Sequence, residues 1–268
     1  MRLLFLFLLL GSFGFASEVP DFRDLSKSRG VVFLLTTPKS GSNLVSSCLS
    51  IITRRPISWI RWGSDVLKPY SERTKHISYN RLGLPLVSSK PLLYRTHYEF
   101  RELSQVSSLC NQLIFLTRNP KELLFRAHLL HSSEEEEPSP SFIENFLREY
   151  LVPFKVYESW DANHKMLVYY EDLIGDQDQI LLDILDFMKI SPTYFEDFIK
   201  NKEKYMERLL TSYKEQHAHN RGGSSSRGGP KAIFYSRNAK AETLRYIDAY
   251  LMRSEPDIWN LYLKRFAS

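Results

Sequence analysis

Residues 31–43 read VVFLLTTPKSGSN, and this stretch decides the fold. Its first five residues are all apolar, without the alternation of a half-exposed strand, which is typical of a strand buried on both faces in a parallel sheet. The polar residues after it lead into an apolar pattern of helical period that starts near Leu44. A buried strand, a tight polar loop and a helix predict the first unit of an α/β domain.

Similar apolar runs recur along the chain. Residues 92–94, 113–116 and 166–169 predict further buried strands, and residues 57–60 predict a weaker one. Amphipathic patterns predict helices at 121–131, at 142–160 with an interruption at Pro153, and at 177–188, while Ser191 and Pro192 are typical of a helix start. The alternation predicts a doubly wound α/β fold with a mainly parallel central sheet of four to five strands flanked by helices.

The composition narrows the class of protein. Of 268 residues, 43% are hydrophobic and 25% are charged, which excludes collagen-like, coiled-coil and wholly disordered proteins. The formal net charge of +5 is a mild basic excess that suits a small anionic ligand at least as well as a nucleic acid, which usually calls for a denser basic face. The two cysteines make neither a disulfide framework nor a metal-binding spacing, so no metal is expected.

The N-terminal residues do not belong to the predicted domain. Arg2 precedes an apolar run that ends in small residues at Gly14 and Ala16, which is typical of a secretory signal peptide and too short for a stable transmembrane span. The alternatives to a cleaved signal peptide are a buried N-terminal strand and an uncleaved segment that anchors a lumenal protein. We expect a signal peptide at 1–16, a lead-in at 17–29 and one domain at 30–268, in a secreted, exported or lumenal protein. The Gly/Ser-rich residues 215–230 predict a mobile loop within it.

Polar residues follow each of the four main predicted strands, at 39–43, 95–97, 117–120 and 170–172. Ligands of open parallel sheets bind outside the carboxyl ends of the strands, so we expect these residues to form one site. In the first segment, Gly41 allows a close backbone approach, Ser40, Ser42 and Asn43 add polar contacts, and Lys39 adds a positive charge at a helix start. The segment is not a Walker A box, because its lysine precedes its glycine.

Taken in order, these segments resemble the sulfotransferase family. Residues 38–43 (PKSGSN) resemble its loop Pro-Lys-Ser-Gly-Thr-Thr, residues 95–97 (RTH) its Lys-Thr-His, residues 117–121 (TRNPK) its Arg-Asn-x-Lys/Arg, and residues 170–173 (YEDL) its Tyr-Glu-Asp-Leu. The resemblance extends over roughly residues 30–265. It implies a P-loop-like fold and in-line transfer of a sulfuryl group from 3′-phosphoadenosine 5′-phosphosulfate (PAPS) to a hydroxyl or amine acceptor, without a metal.

The resemblance also implies a role for each site residue. Lys39 stabilises the oxygen that leaves towards the nucleotide, and His97 accepts the acceptor's proton, for which an ordinary pKa of about 6.5 is suitable. Arg118 grips the 3′-phosphate, and Tyr170 lies near the adenine. The loop residues that bind the 5′-phosphosulfate are Lys39, Ser40, Gly41, Ser42 and Asn43. The expected partners are the nucleotide donor and a carbohydrate, lipid or protein acceptor.

Three features of the sequence depart from the family's pattern. Arg126 stands where the family usually has a serine, eight residues after the 3′-phosphate arginine, and we expect it to assist Arg118. Leu44 replaces a tryptophan. The late Arg-Lys-Gly element is echoed only by Arg227 and Gly228, which the resemblance implies as nucleotide-binding residues. The alternatives are a P-loop-type nucleotide kinase, which the missing Walker A order disfavours, and a non-catalytic anion- or glycan-binding protein with a degenerate site.

Overall fold

The computed structural model describes residues 32–37, 39–59, 82–88, 92–97, 112–129, 137–160, 165–219, 236 and 239–268; for 58–59, 96–97 and 213–219 the description covers the backbone. The predicted signal peptide at 1–16, the lead-in at 17–29, and Arg227 and Gly228 lie outside these residues. The predicted mobile loop at 215–230 overlaps a helix that continues to His219, and the rest of that loop is outside the described residues.

A five-stranded, all-parallel sheet forms the centre of the molecule, which confirms the predicted fold class. The strands are β1 (Val32–Thr36), β2 (Ser58–Trp59), β3 (Tyr94–His97), β4 (Gln112–Thr117) and β5 (Lys165–Tyr169). Their spatial order is β2-β3-β1-β4-β5. The strand that opens the polar loop, β1, is therefore the middle strand, with β3 and β4 as its neighbours.

Helices connect and cover the strands. They are α1 (Ser42–Thr53), α2 (Pro120–His128), α3 (Pro140–Ser159), α4 (Tyr170–Gly175), α5 (Gln177–Phe187), α6 (Phe195–Lys200), α7 (Lys202–His219), α8 (Ala241–Ser254) and α9 (Pro256–Ile258). After α9 the chain forms a π-helical turn at Trp259–Leu263 and a 3₁₀ turn at Lys264–Phe266. Among the described residues, no helix has the length and apolar character required to cross a bilayer.

The third strand begins later than predicted. Leu92 and Leu93 are buried but precede β3, which starts at Tyr94 and includes Arg95, Thr96 and His97. These three residues pair in register with β1, up to Thr36 opposite His97. Main-chain pairing with the central strand thus extends the strand through a polar stretch that was predicted to follow it.

Two helix predictions were wrong. Helix α3 runs unbroken through Pro153, although an interior proline costs about 3 kcal/mol. Tyr150, Leu151 and Phe154 around it are all buried, and the packing of such side chains offsets that cost. Helix α6 begins at Phe195 rather than at Pro192, because the N–H of Tyr194 donates to the carbonyl of Ile52 at the end of α1 and so holds the preceding residues in a turn.

Candidate functional site

The sheet topology brings the predicted site segments to one edge. The ends of β3 and β4 flank the end of β1, where His97 lies opposite Thr36 and Leu116 lies opposite the same residue on the other side. The next strand out, β5, ends at Tyr169, opposite Thr117. The segments after β1, β4 and β5, together with the last residues of β3, therefore lie at the carboxyl edge, where doubly wound folds bind ligands.

A tight turn shapes the loop after β1. The N–H of Thr37 donates to the carbonyl of Leu116 (3.1 Å), which anchors the loop to β4. The N–H of Ser40 and its hydroxyl both donate to the carbonyl of Thr37, at 3.3 and 2.6 Å. Ser40 is fully buried, so its side chain closes the turn, and its contact with a ligand stays a prediction.

The loop ends in an uncapped helix start. Gly41 is the N-cap of α1, has a φ of 92°, and is followed by a first turn with no acidic residue and no side-chain cap. The carbonyl of Gly41 accepts from the N–H of Val45, so the N–H groups of Ser42, Asn43 and Leu44 have no partner within the helix. Such N–H groups and the positive end of the helix dipole favour an anion at this position.

One aromatic ring joins this loop to the segment after β4. The ring of Tyr170 packs against Gly41 so closely that a Cβ built there would lie 2.5 Å from Cδ2 of the ring. The guanidinium carbon of Arg118 lies 4.5 Å from the centroid of the same ring. The loop and Arg118 thus contact one side chain. Whether Tyr170 also reaches an adenine stays a prediction.

Arg118 is a buried cation that has an unused hydrogen-bond donor. It is 5% exposed, and its Nε has no hydrogen-bond partner among the described residues. One terminal nitrogen lies 3.9 Å from Oε2 of Glu122, an ion pair at the limit of contact. A planar guanidinium held in this way is suited to an anion that accepts two hydrogen bonds, such as a phosphate.

Lys39 and Arg126 influence each other. Lys39 is exposed and has a left-handed backbone with a φ of 65°. Its side chain reaches solvent, but the surrounding protein partly desolvates the ammonium, and this lowers the pKa of Lys39 below the usual value; repulsion from the guanidinium of Arg126 is the second cause. The charge of Arg126 therefore lies near enough to Lys39 to lower its pKa, and their binding of a common ligand stays a prediction.

The strand that carries His97 is tied to the loop through Arg95. The Nη1 of Arg95 donates to Oδ1 of Asn43, and Arg95 is 1% exposed. Arg95 is the first residue of the Arg-Thr-His segment that was expected at the site, but no role of its own was predicted for it. The description of His97 covers its backbone, so its role as the base stays a prediction.

Two further residues of the site carried no clear signal in the sequence. Tyr150 lies in the apolar pattern of α3, and its hydroxyl donates to the carbonyl of Arg118. Glu171 lies within the Tyr-Glu-Asp-Leu element without a role of its own, and its carboxylate accepts from the N–H of Asn119. Among the described residues there is no group of three or more His, Cys, Asp or Glu side chains that could hold a metal ion.

Comparison with protein families identifies the chain. The model of the sulfotransferase domain matches residues 29–232. The chain belongs to the sulfotransferase family. This confirms the resemblance carried by the strand-end segments.

Known sulfotransferases are distant relatives. Sulfotransferase 4A1 of mouse and of rat is each 23% identical over 193 residues, which cover 65% of this chain and 65% of theirs, and the human protein is 23% identical over 178 residues. The alignments thus span less than two thirds of the curated relatives they match. A crystal structure of mouse sulfotransferase SULT7A1 complexed with PAP superposes with a TM-score of 0.57 and 17% identity over 92% of each chain, which shows a shared fold.

Proposed function

We propose that this sulfotransferase transfers a sulfuryl group from PAPS to a hydroxyl or amine acceptor by in-line displacement. The acceptor oxygen or nitrogen bonds to sulfur, the bond from sulfur to the 5′-phosphate oxygen breaks, and 3′-phosphoadenosine 5′-phosphate (PAP) leaves with that electron pair. The acceptor's proton passes to His97. The similarity in fold to a sulfotransferase complexed with PAP supports this donor.

The contact of one tyrosine ring with two anion-binding segments carries the proposal. Because Tyr170 touches both Gly41 and Arg118, the open helix start and the buried guanidinium lie against the same aromatic ring. A nucleotide with a phosphosulfate on one side of its ribose and a phosphate on the other presents two anionic groups, one for each segment. We assign the 5′-phosphosulfate to the loop at 39–43 and the 3′-phosphate to Arg118, assisted by Arg126.

Preorganised donors supply the expected catalysis. In the transition state, charge grows on the oxygen that leaves with PAP, and the N–H groups at the start of α1 are already oriented without a competing cap. The ammonium of Lys39 adds a positive charge there. His97 lies at the end of β3, next to the loop, and this location supports its proposed role as the base for the acceptor.

A transfer assay tests the reaction. The wild-type protein is incubated with sulfur-35-labelled PAPS and a mixed set of alcohol, phenol, amine and carbohydrate acceptors, and labelled products are separated from PAPS. Lys39→Ala and His97→Ala are expected to lower turnover by at least about a hundredfold, since each removes a group that acts in the transition state. If the protein is instead a nucleotide kinase, group transfer in this assay will require ATP and magnesium rather than PAPS. Near-normal turnover by His97→Ala would remove this residue from the role of base.

A binding experiment tests the nucleotide independently of turnover. Calorimetry with PAP and with AMP, which lacks the 3′-phosphate, is expected to show at least about tenfold tighter binding of PAP, because a charge-assisted contact with phosphate is worth about 1.5–3 kcal/mol. Arg118→Met keeps the apolar stem of the side chain and is expected to remove most of this preference. Equal affinities for the two nucleotides in the wild-type protein would contradict the assignment of Arg118.

A further inference from the structure

Both polar atoms of a single peptide unit, between Arg118 and Asn119, are bound by side chains from other elements. The hydroxyl of Tyr150, in α3, donates to the carbonyl of Arg118 at 2.9 Å. The N–H of Asn119 donates to Oε1 of Glu171, in α4, at 3.0 Å. Because the carbonyl and the N–H of a trans peptide point in opposite directions, these two contacts hold the peptide plane from both sides.

The hydroxyl of Tyr150 is itself fixed. Tyr150 is 4% exposed, and its ring packs against that of Phe154 with a centroid separation of 5.4 Å. Since its one proton goes to the carbonyl of Arg118, the hydroxyl of Thr117, 3.1 Å away, is the donor in their contact. The Tyr150 hydroxyl therefore has a defined direction, and rotation of the peptide unit would break two hydrogen bonds.

Glu171 binds the N–H side of this peptide unit, although burial of its carboxylate is energetically unfavourable. Its second oxygen, Oε2, is buried and has no hydrogen-bond partner among the described residues. Burial raises the pKa of this carboxyl, although the N–H of Asn119 and the charge of Arg118 act against that rise. A buried, half-satisfied carboxylate is unfavourable for folding, so its geometry is better explained by what it positions than by stability.

The first turn of α4 also contacts both anion-binding segments of the site, the loop at 39–43 and Arg118. Tyr170, the residue before Glu171, packs against Gly41 and lies under the guanidinium of Arg118. Asn119 in turn caps α2, since its Oδ1 accepts from the N–H of Lys121 at 2.9 Å. The Arg118–Asn119 peptide is thus the point at which α2, α3 and α4 meet the candidate anion site.

We propose that Tyr150 and Glu171 form a peptide clamp that positions Arg118 for the 3′-phosphate and so sets the preference for a 3′-phosphorylated adenine nucleotide. This proposal rests on the function proposed above. The side-chain direction of Arg118 follows from its backbone angles, and its stem is confined by burial. A rotated peptide would therefore move the guanidinium from the phosphate without altering the loop at 39–43. Tyr150 and Glu171 act through Arg118 and are positioning residues.

The ratio of the dissociation constants for AMP and PAP tests the clamp. Tyr150→Phe removes one hydroxyl and keeps every ring contact, and Glu171→Ala removes the acceptor for Asn119. Each is expected to lower the ratio about tenfold, with PAP binding weakened and AMP binding unchanged. Glu171→Gln keeps an oxygen acceptor at Oε1 and is expected to retain most of the wild-type ratio. Thermal melting of each variant shows that it is folded.

Tyr205→Phe is the matched control. Tyr205 is 7% exposed, and its hydroxyl donates to Oδ2 of Asp197 at 2.6 Å in a different core cluster, so this variant loses the same atom from a similar setting. Its ratio is expected to equal that of the wild type. The clamp would be overturned, with the proposed function intact, by either of two results. One is a folded Tyr150→Phe protein whose ratio equals that of the wild type, and the other is a clamp variant in which the affinities for PAP and AMP fall by the same factor. A wild-type protein without preference would overturn the proposed function and the clamp with it.

Discussion

Among the glycines that the structure describes, Gly41 is the one at which a side chain is least tolerable. Its φ of 92° lies in the left-handed region, which costs residues with a Cβ about 1–2 kcal/mol. A Cβ would also lie 2.5 Å from Cδ2 and 2.7 Å from Cε2 of Tyr170, closer than carbon atoms approach one another. The glycine therefore allows both the sharp turn into α1 and the ring contact that joins the loop to Arg118.

We expect Gly41→Ala to lower the free energy of unfolding by about 2–4 kcal/mol and to weaken PAP binding, because Tyr170 must move away from the loop. Gly83→Ala is the matched control, since Gly83 also has a positive φ, of 62°, but has no atom within 4 Å of a built Cβ. Urea denaturation should show that Gly83→Ala has the backbone cost alone, with PAP affinity unchanged. Equal losses of stability in the two variants would contradict the steric role of Tyr170.

At the scale of elements, Lys121 connects the start of α2 to the C-terminal part of the chain. It is 4% exposed, and its Nζ donates to Oδ2 of Asp248 in α8 (2.9 Å), to the carbonyl of Phe266 (2.6 Å) and to the hydroxyl of Ser268 (2.7 Å). A buried ammonium with three oxygen partners is well satisfied. Because Asn119 caps the same helix, this connection also supports the segment that carries Arg118.

We expect Lys121→Met to lower the free energy of unfolding by about 3–5 kcal/mol, since it leaves the carboxylate of Asp248 largely buried without its cation. Lys155→Met removes the exposed ion pair with Glu255 and is expected to cost at most about 1 kcal/mol. Urea denaturation compares the two variants. A double variant, Lys121→Met with Asp248→Leu, should recover part of the loss. A cost for Lys121→Met as small as that of Lys155→Met would show that the connection contributes little.

At the scale of the whole molecule, the sheet separates two hydrophobic core clusters. Phe33 and Leu35 of β1 belong to the cluster that includes α3 and α8, whereas Val32 and Leu34 belong to the one that includes α1 and α5. Strand side chains alternate between the faces, so a fully apolar strand serves both cores. Because helices cover both faces of the sheet, the loops that carry the polar segments lie at the ends of the strands.

Much of this architecture could be predicted from local patterns. The apolar runs identified the central strands because burial on both faces demands apolar residues at every position. The start of β3, the unbroken α3 and the start of α6 could not be predicted, because strand pairing with β1, packing around Pro153 and the hydrogen bond from Tyr194 to Ile52 join residues far apart in sequence. Local propensity does not contain such contacts.

The site shows the same division. Lys39, Gly41 and Arg118 were predicted to belong to the site because their segments follow strands and resemble a family's elements in order. Tyr150 and Glu171 were not assigned roles, because an aromatic residue in an apolar helix pattern and one acid of a pair are ordinary features. Their importance depends on a hydrogen bond across 32 residues and another across 52.

The sequence by itself determined the class of fold, the edge of the sheet that carries the polar segments and the family to which the chain belongs. Those properties depend on local composition and on the order of short motifs. Only the tertiary structure decided that Tyr170 bridges Gly41 and Arg118, and that Tyr150 and Glu171 hold one peptide unit. The physical reason is that these effects depend on distances of a few ångströms between elements, which packing sets and which no local pattern encodes.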